Sequence, residues 1–143
     1  MLEYSNRLSA KEYCELRSAV GWQAIIEEQA QSGLEHSDFI IACRNEQGIV
    51  GCARIFWDKG YIAYLADVMV KPEYQKQGIG RKMVQECISY IDSQLKEGWR
   101  IKIVIVSAKG KEPFYEKFGF EVVDRSVAPR ISNCQECKQF HNG

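Results

Sequence analysis

Between residues 61 and 106 the apolar rhythm of the chain changes twice, and few folds accommodate that change. Residues 61–70 form a β-type apolar run that Pro72 closes, with Gly78 and Gly80 just beyond. Met83, Cys87, Ile91 and Leu95 then step by four, with Val84 and Ile88 beside them, which puts one broad apolar face on a helix running to about residue 96. Gly98 ends it. Residues 101–106 are apolar at every position but Lys102, as expected of a strand covered on both sheet faces. A strand, a crossover helix and a second strand make a βαβ unit, which crosses right-handedly and leaves its two strands parallel.

Upstream, Ser9 and Glu12 have the spacing of a capping box, and Tyr13, Leu16, Ala19 and Val20 predict a helix over 10–20. Gly21 interrupts, and Trp22, Ile25, Ile26, Gln29 and Ala30 predict a second helix that stops near Gly33. The runs 39–43, 49–57 and 61–70, parted by turn clusters at 45–48 and 58–60, read as an antiparallel meander. A short helix over about 113–118, opened by Pro113 and ended by Gly119, and a strand over 120–123 follow. The expected fold is one α+β or α/β domain over residues 1–143, with a mixed, mostly antiparallel sheet, a central parallel βαβ pair and helices on both faces.

Nineteen Lys and Arg cancel nineteen Asp and Glu, so no net field draws the chain to nucleic acid or an anionic membrane. No apolar run approaches the roughly 20 residues of a membrane span. The amino terminus carries Glu3 where a signal peptide has its positive region, so a cytoplasmic protein is expected. Cys14, Cys43, Cys52 and Cys87 lie in apolar-periodic segments and read as core thiols. Cys134, Cys137 and His141 offer three zinc-ligand types without an obvious fourth, so a plain terminal strand competes with a metal site and no metal is expected.

The chemistry is concentrated in Val68, Met69, Val70, Lys71, Pro72, Glu73, Tyr74, Gln75, Lys76, Gln77, Gly78, Ile79, Gly80 and Arg81, a strand, a tight turn and a helix start in that order. Glycines at 78 and 80 let the backbone approach a ligand closely. The amides there are the unsatisfied donors of a helix N-terminus, where the macrodipole favours an anion. Arg81 and Lys82 add positive charge. The P-loop pattern is not met, and Met83 stands where a dinucleotide fingerprint needs its third glycine. Spacing alone leaves open a tight strand-to-helix turn with no ligand.

The whole string resembles the GNAT superfamily of acetyl-CoA-dependent N-acetyltransferases, whose signature is Gln or Arg, two residues, Gly, one residue, then Gly or Ala, after a strand ending in valine and proline. Here those are Gln75, Gly78 and Gly80 after Val70 and Pro72. Pro113, Phe114, Tyr115, Glu116, Lys117, Phe118, Gly119 and Phe120 resemble that family's closing block, and the order of elements is similar over nearly the whole chain. The resemblance implies acetyl-CoA as co-substrate and main-chain groups of Met69 and Val70 pairing with its pantetheine arm like an added strand. It implies that amides of Gln75, Lys76, Gln77, Gly78, Ile79, Gly80 and Arg81 hold the pyrophosphate. Tyr115 becomes the general acid that protonates the departing thiolate, with an ordinary core aromatic as its alternative. One departure is Ala108, where many members carry an asparagine; Ser107 or a nearby lysine is a candidate substitute.

An aliphatic amine is mostly ammonium at neutral pH, and freeing its lone pair costs about 4 kcal/mol. Asp67, Glu73 and Glu35 are candidate bases, with Asp67 foremost because strand alternation places it on one face with Leu65 and Met69. Its alternative is a hydrogen-bonded structural role, with water as proton acceptor. The expected reaction is direct attack of a small-molecule or peptide amine on the thioester. A CoA-binding module without turnover is the competing reading. The acceptor is not spelled by the residues, and a homodimer through late strands stays open.

Overall fold

The computed structural model describes residues 1–122 and, for the backbone alone, residues 137–142. In chain order the elements are β1 (Glu3–Ser5), α1 (Ala10–Ala19), α2 (Glu27–Glu35), β2 (Phe39–Asn45), β3 (Gly48–Trp57), β4 (Ile62–Val70), a 3-10 turn (Pro72–Tyr74), α3 (Ile79–Gln94), β5 (Lys102–Ala108), α4 (Glu112–Glu116), β6 (Glu121–Val122) and β7 (Cys137–Asn142). They fall into two compact units, one of residues 1–56 and 65–95, the other of 57–64 and 96–143.

In the first unit the strands are ordered β1-β2-β3-β4, with β1 and β3 each antiparallel to β2. Ser9 caps α1 as a capping box: its hydroxyl accepts from the Glu12 N–H at 3.1 Å, and the Glu12 carboxylate accepts from the Ser9 N–H at 3.0 Å. Tyr13 and Leu16 of α1 and Ala30 and Leu34 of α2 pack with Ala42, Ile49, Cys52 and Met69 in one buried cluster. Ile40 joins that cluster, whereas its neighbour Phe39 stacks on Tyr90 of α3 with centroids 4.6 Å apart. Successive strand residues point to opposite faces, so helices cover both.

Arg44 ties β2 to the start of α1. Its Nε and Nη2 donate to the two Glu12 carboxylate oxygens at 2.7 Å each, Nη1 to Ser5 Oγ at 2.8 Å and Nη2 also to Arg7 O at 2.7 Å. Arg44 holds the Glu12 carboxyl below its ordinary range, so the pair stabilises the fold above that range and the contribution is lost as pH falls through it. Arg44→Ala is expected to cost about 1–3 kcal/mol at neutral pH, read as a lower urea midpoint, with a smaller difference in acid.

In the second unit, the turn between β3 and β4 is closed by the Asp58 N–H to Ile62 O at 3.0 Å. Lys102 N–H donates to Tyr61 O at 2.7 Å and sets β5 beside the start of β4, its parallel partner across α3. β7 pairs antiparallel with both β5 and β6.

Two expectations need correction, and one strand was not foreseen. The second helix is α2 (Glu27–Glu35) rather than one that starts at Trp22 and stops near Gly33, and Gly33 lies inside it. Arg17 donates to Gln23 O from Nε and Nη2 at 2.8 and 2.6 Å, holding the connection open, and the helix starts where Glu27 and Glu28 meet its positive end. β5 is not covered on both faces: Ile103, Ile105 and Ser107 are buried, while Val106 is 37% exposed. β1 is a three-residue edge that no sequence pattern announces. Cys134, the Cys137 and His141 side chains and the tail 128–131 lie outside the described residues. Among the described residues no His, Cys, Asp and Glu cluster could hold a metal, and no helix is long and apolar enough to cross a membrane.

Candidate functional site

The 3-10 turn after β4 is held by Tyr74 N–H to Lys71 O at 2.9 Å and Gln75 N–H to Pro72 O at 3.3 Å. Beyond it the backbone is left-handed at Lys76 (φ 63°) and again at Gly78 (φ 85°), which is the N-cap of α3. Gly78 supplies no side-chain cap, and the helical ladder opens with Lys82 N–H to Gly78 O at 3.1 Å. The amides of Ile79, Gly80 and Arg81 therefore precede the first intrahelical bond. No acid stands in this turn, and a Cβ placed on Gly78 would meet nothing within 4 Å. Converging amides, the positive end of a 16-residue helix and open space above them suit an anion such as a diphosphate. Lys82 itself is occupied, with Nζ 3.3 Å from Glu86 and over the Tyr4 ring.

The end of β4 leads into this turn. Leu65 and Ala66 are both buried and Asp67 is left-handed (φ 54°), so the alternation of the strand breaks there. Beyond the break, β3 approaches closely: a Cβ on Gly51 would lie 2.6 Å from Met69 O, and Lys71 N–H donates to Val50 O at 2.9 Å. The carbonyl of Val70 accepts Gln75 Nε2 at 2.9 Å and is thus presented to an amide donor. Met69 is buried, whereas Val68 and Val70 are half-buried.

Asp67 is bonded to Tyr13 of α1, and Met69 packs in the same cluster as Tyr13. One Asp67 oxygen, Oδ2, accepts from Tyr13 OH at 2.7 Å and Arg54 Nε at 2.7 Å; Arg54 Nη2 lies 2.6 Å from it as an ion pair and donates to Tyr13 OH at 3.2 Å. Arg54 also donates from Nη1 to Ser37 Oγ at 3.2 Å, and its guanidinium lies over the Tyr13 and Phe56 rings. Burial and then Asp67 push the Tyr13 phenol up to about 12, so it stays a donor. Sequence reasoning missed Arg54 and Tyr13; the available signal was one arginine inside the apolar run 49–57, which demands a partner. Of the other candidate bases, Glu35 accepts Gln31 Nε2 at 2.9 Å at the end of α2. Glu73 lines an open cleft of about 480 Å³ with Glu15, Ser18, Ala19, Lys71 and Pro72. Lys71 is ion-paired with Glu15 there.

In the second unit Tyr115 is 7% exposed, with Phe114 and Phe120 edge-on to its ring at 4.9 and 6.2 Å. Burial, and after it Tyr64, raise the phenol above its ordinary range. Ser107 is buried and donates to Ala108 O at 2.9 Å. Cys52 and Cys87 are buried, and burial pushes both thiols up, so neither is a thiolate nucleophile near neutral pH.

The profile of the acetyltransferase (GNAT) domain matches residues 35–122. The chain is 28% identical over 123 residues to an uncharacterized N-acetyltransferase, ycf52, of Porphyra purpurea, spanning 83% of this chain and 68% of that protein. It is 31% identical over 101 residues to the uncharacterized N-acetyltransferase YitH of Bacillus subtilis, spanning 70% and 33%. A probable acetyltransferase of unknown function from methicillin-resistant Staphylococcus aureus shares the fold with a TM-score of 0.79 at 23% identity, over 88% of this chain and 94% of that one. N-acetylglutamate synthase from Neisseria gonorrhoeae, complexed with coenzyme A and N-acetyl-glutamate, superposes with a TM-score of 0.72 at 13% identity, over 99% and 35%.

Proposed function

The chain belongs to the GNAT acetyltransferases, and from that premise we propose that it moves an acetyl group from acetyl-CoA to a primary amine by direct attack in a ternary complex. The observation that carries this reading is the uncapped N-terminus of α3 behind two left-handed residues, Lys76 and Gly78. Main-chain amides of residues 75–81 bind the diphosphate. Main-chain groups of Met69 and Val70 take the pantetheine arm, which requires the Gln75 amide to release Val70 O.

The amine of a small molecule or a peptide adds to the thioester carbonyl, the carbon–sulfur bond breaks, and the Tyr115 hydroxyl gives its proton to the departing sulfur. A phenol kept protonated by burial suits that role. Asp67 Oδ2 accepts from Tyr13 OH and Arg54 Nε and is ion-paired with Arg54 Nη2, an arrangement that supports anchoring over base catalysis. The ammonium proton of the acceptor passes to water before attack, and the second proton, shed by the nitrogen as the amide forms, returns to the Tyr115 phenolate through water. With the Cys52 and Cys87 thiols raised by burial, a covalent acetyl-cysteine is not needed.

The test is release of free thiol from acetyl-CoA across a panel of amines and amino-terminal peptides. Turnover with at least one amine class is expected. CoA binding without any thiol release would leave a binding module in place of an enzyme. In the same assay Gly78→Val, which must hold φ 85° with a β-branched side chain, is expected to raise the CoA dissociation constant about tenfold or more.

A further inference from the structure

We propose that Arg54 and Tyr13 are positioning residues: they clamp Asp67 in its left-handed conformation, and that conformation presents the main chain of residues 68–70 to the pantetheine arm. The inference rests on the reading of that strand given above and adds the device that shapes it.

A non-glycine residue at φ 54° inside a strand is disfavoured by about 1–2 kcal/mol, although aspartate tolerates it better than most. Something must hold it there. Two hydrogen bonds and an ion pair converge on Oδ2, from α1 through Tyr13 and from β3 through Arg54. The side chains involved are mostly buried, so the attraction is screened little by water. The surroundings are fitted to the guanidinium: Ser37 at the end of α2 takes Nη1, two aromatic rings flank its faces, and a Cβ on Gly33 would come within 3.3 Å of Nη1. An ordinary ion pair between strands needs no left-handed residue. Here the left-handed residue immediately precedes the half-buried Val68 and Val70, and Val70 O is turned to an amide donor. The clamp and the presented strand end are thus consecutive along β4.

The experiment compares two ligands by calorimetry: CoA, and 3′-phosphoadenosine 5′-diphosphate, which keeps the diphosphate and lacks the pantetheine arm. Asp67→Ala and Arg54→Met are expected to weaken CoA about tenfold while changing the truncated nucleotide by no more than about twofold. Asp67→Gly, which adopts φ 54° freely, is expected to recover most of the CoA affinity without restoring the ion pair. Should Asp67→Ala fail to fold, Tyr13→Phe carries the comparison, with a selective CoA loss of about threefold. Equal loss on both ligands, or no loss on CoA in folded variants, overturns the clamp and leaves the proposed function standing. Wild-type protein that binds neither ligand overturns both.

Discussion

Tyr115→Phe is expected to lower kcat about 100- to 10,000-fold, the usual contribution of a positioned general acid, with the CoA dissociation constant nearly unchanged. The substitution removes one hydroxyl and keeps the ring against Phe114 and Phe120. Because burial raises the phenol above its ordinary pKa near 10, Tyr115 stays protonated throughout the range below that value. The wild-type rate should therefore show no loss traceable to this proton as pH rises from neutrality to about 10. A stopped-assay pH profile of the two proteins checks it. The linkage has the same sign: a raised phenol contributes stability below about pH 10, lost only as pH climbs through the raised value.

Gly51→Val is expected to destabilise the fold by about 3 kcal/mol. The first atom added would sit 2.6 Å from Met69 O and 3.1 Å from Met83 Cε, so the backbone of β4 has to move. Met69 is also where the pantetheine arm is proposed to pair, and CoA affinity should fall in parallel. Gly78→Ala is the informative contrast. Its Cβ points into open space, so only the left-handed backbone resists, at about 1 kcal/mol. Urea unfolding of the two variants separates crowding from conformational strain.

Much of this architecture was legible in the sequence because its signals are local. The capping box, the apolar step of four along α3 and the glycines at 78 and 80 each act within a few residues, and the structure realises them at those positions. What escaped depends on polar contacts and coverage that apolar spacing does not encode. The apolar spacing from Trp22 to Ala30 suits a helix, but Arg17 spends its donors on the Gln23 carbonyl and delays the start of α2. The run 101–106 is apolar on both faces, yet apolar residues do not report what covers them, and Val106 is exposed.

The same distinction holds within the candidate site. Gln75, Gly78 and Gly80 stand in one short string, whereas the partners of Asp67 come from positions 13 and 54 and are joined only by folding. Alternation puts Asp67 on one face with Leu65 and Met69, but the alternation of the strand breaks at Asp67. It could not reveal that Asp67 would be left-handed and held by Tyr13 and Arg54. Phe114 and Phe118 suggest an aromatic setting for Tyr115, and the rings found beside it are Phe114 and Phe120; its role comes from the family resemblance.

The proposed grip of the main chain on the diphosphate is tested most directly by following backbone amide resonances of isotopically labelled protein during a titration with CoA. The largest shifts are expected at residues 76–81, saturating together, with a second set at 68–70. Amides of Gly78, Ile79, Gly80 and Arg81 that stay in place while CoA binds elsewhere, or that stay in place because nothing binds, would contradict the account.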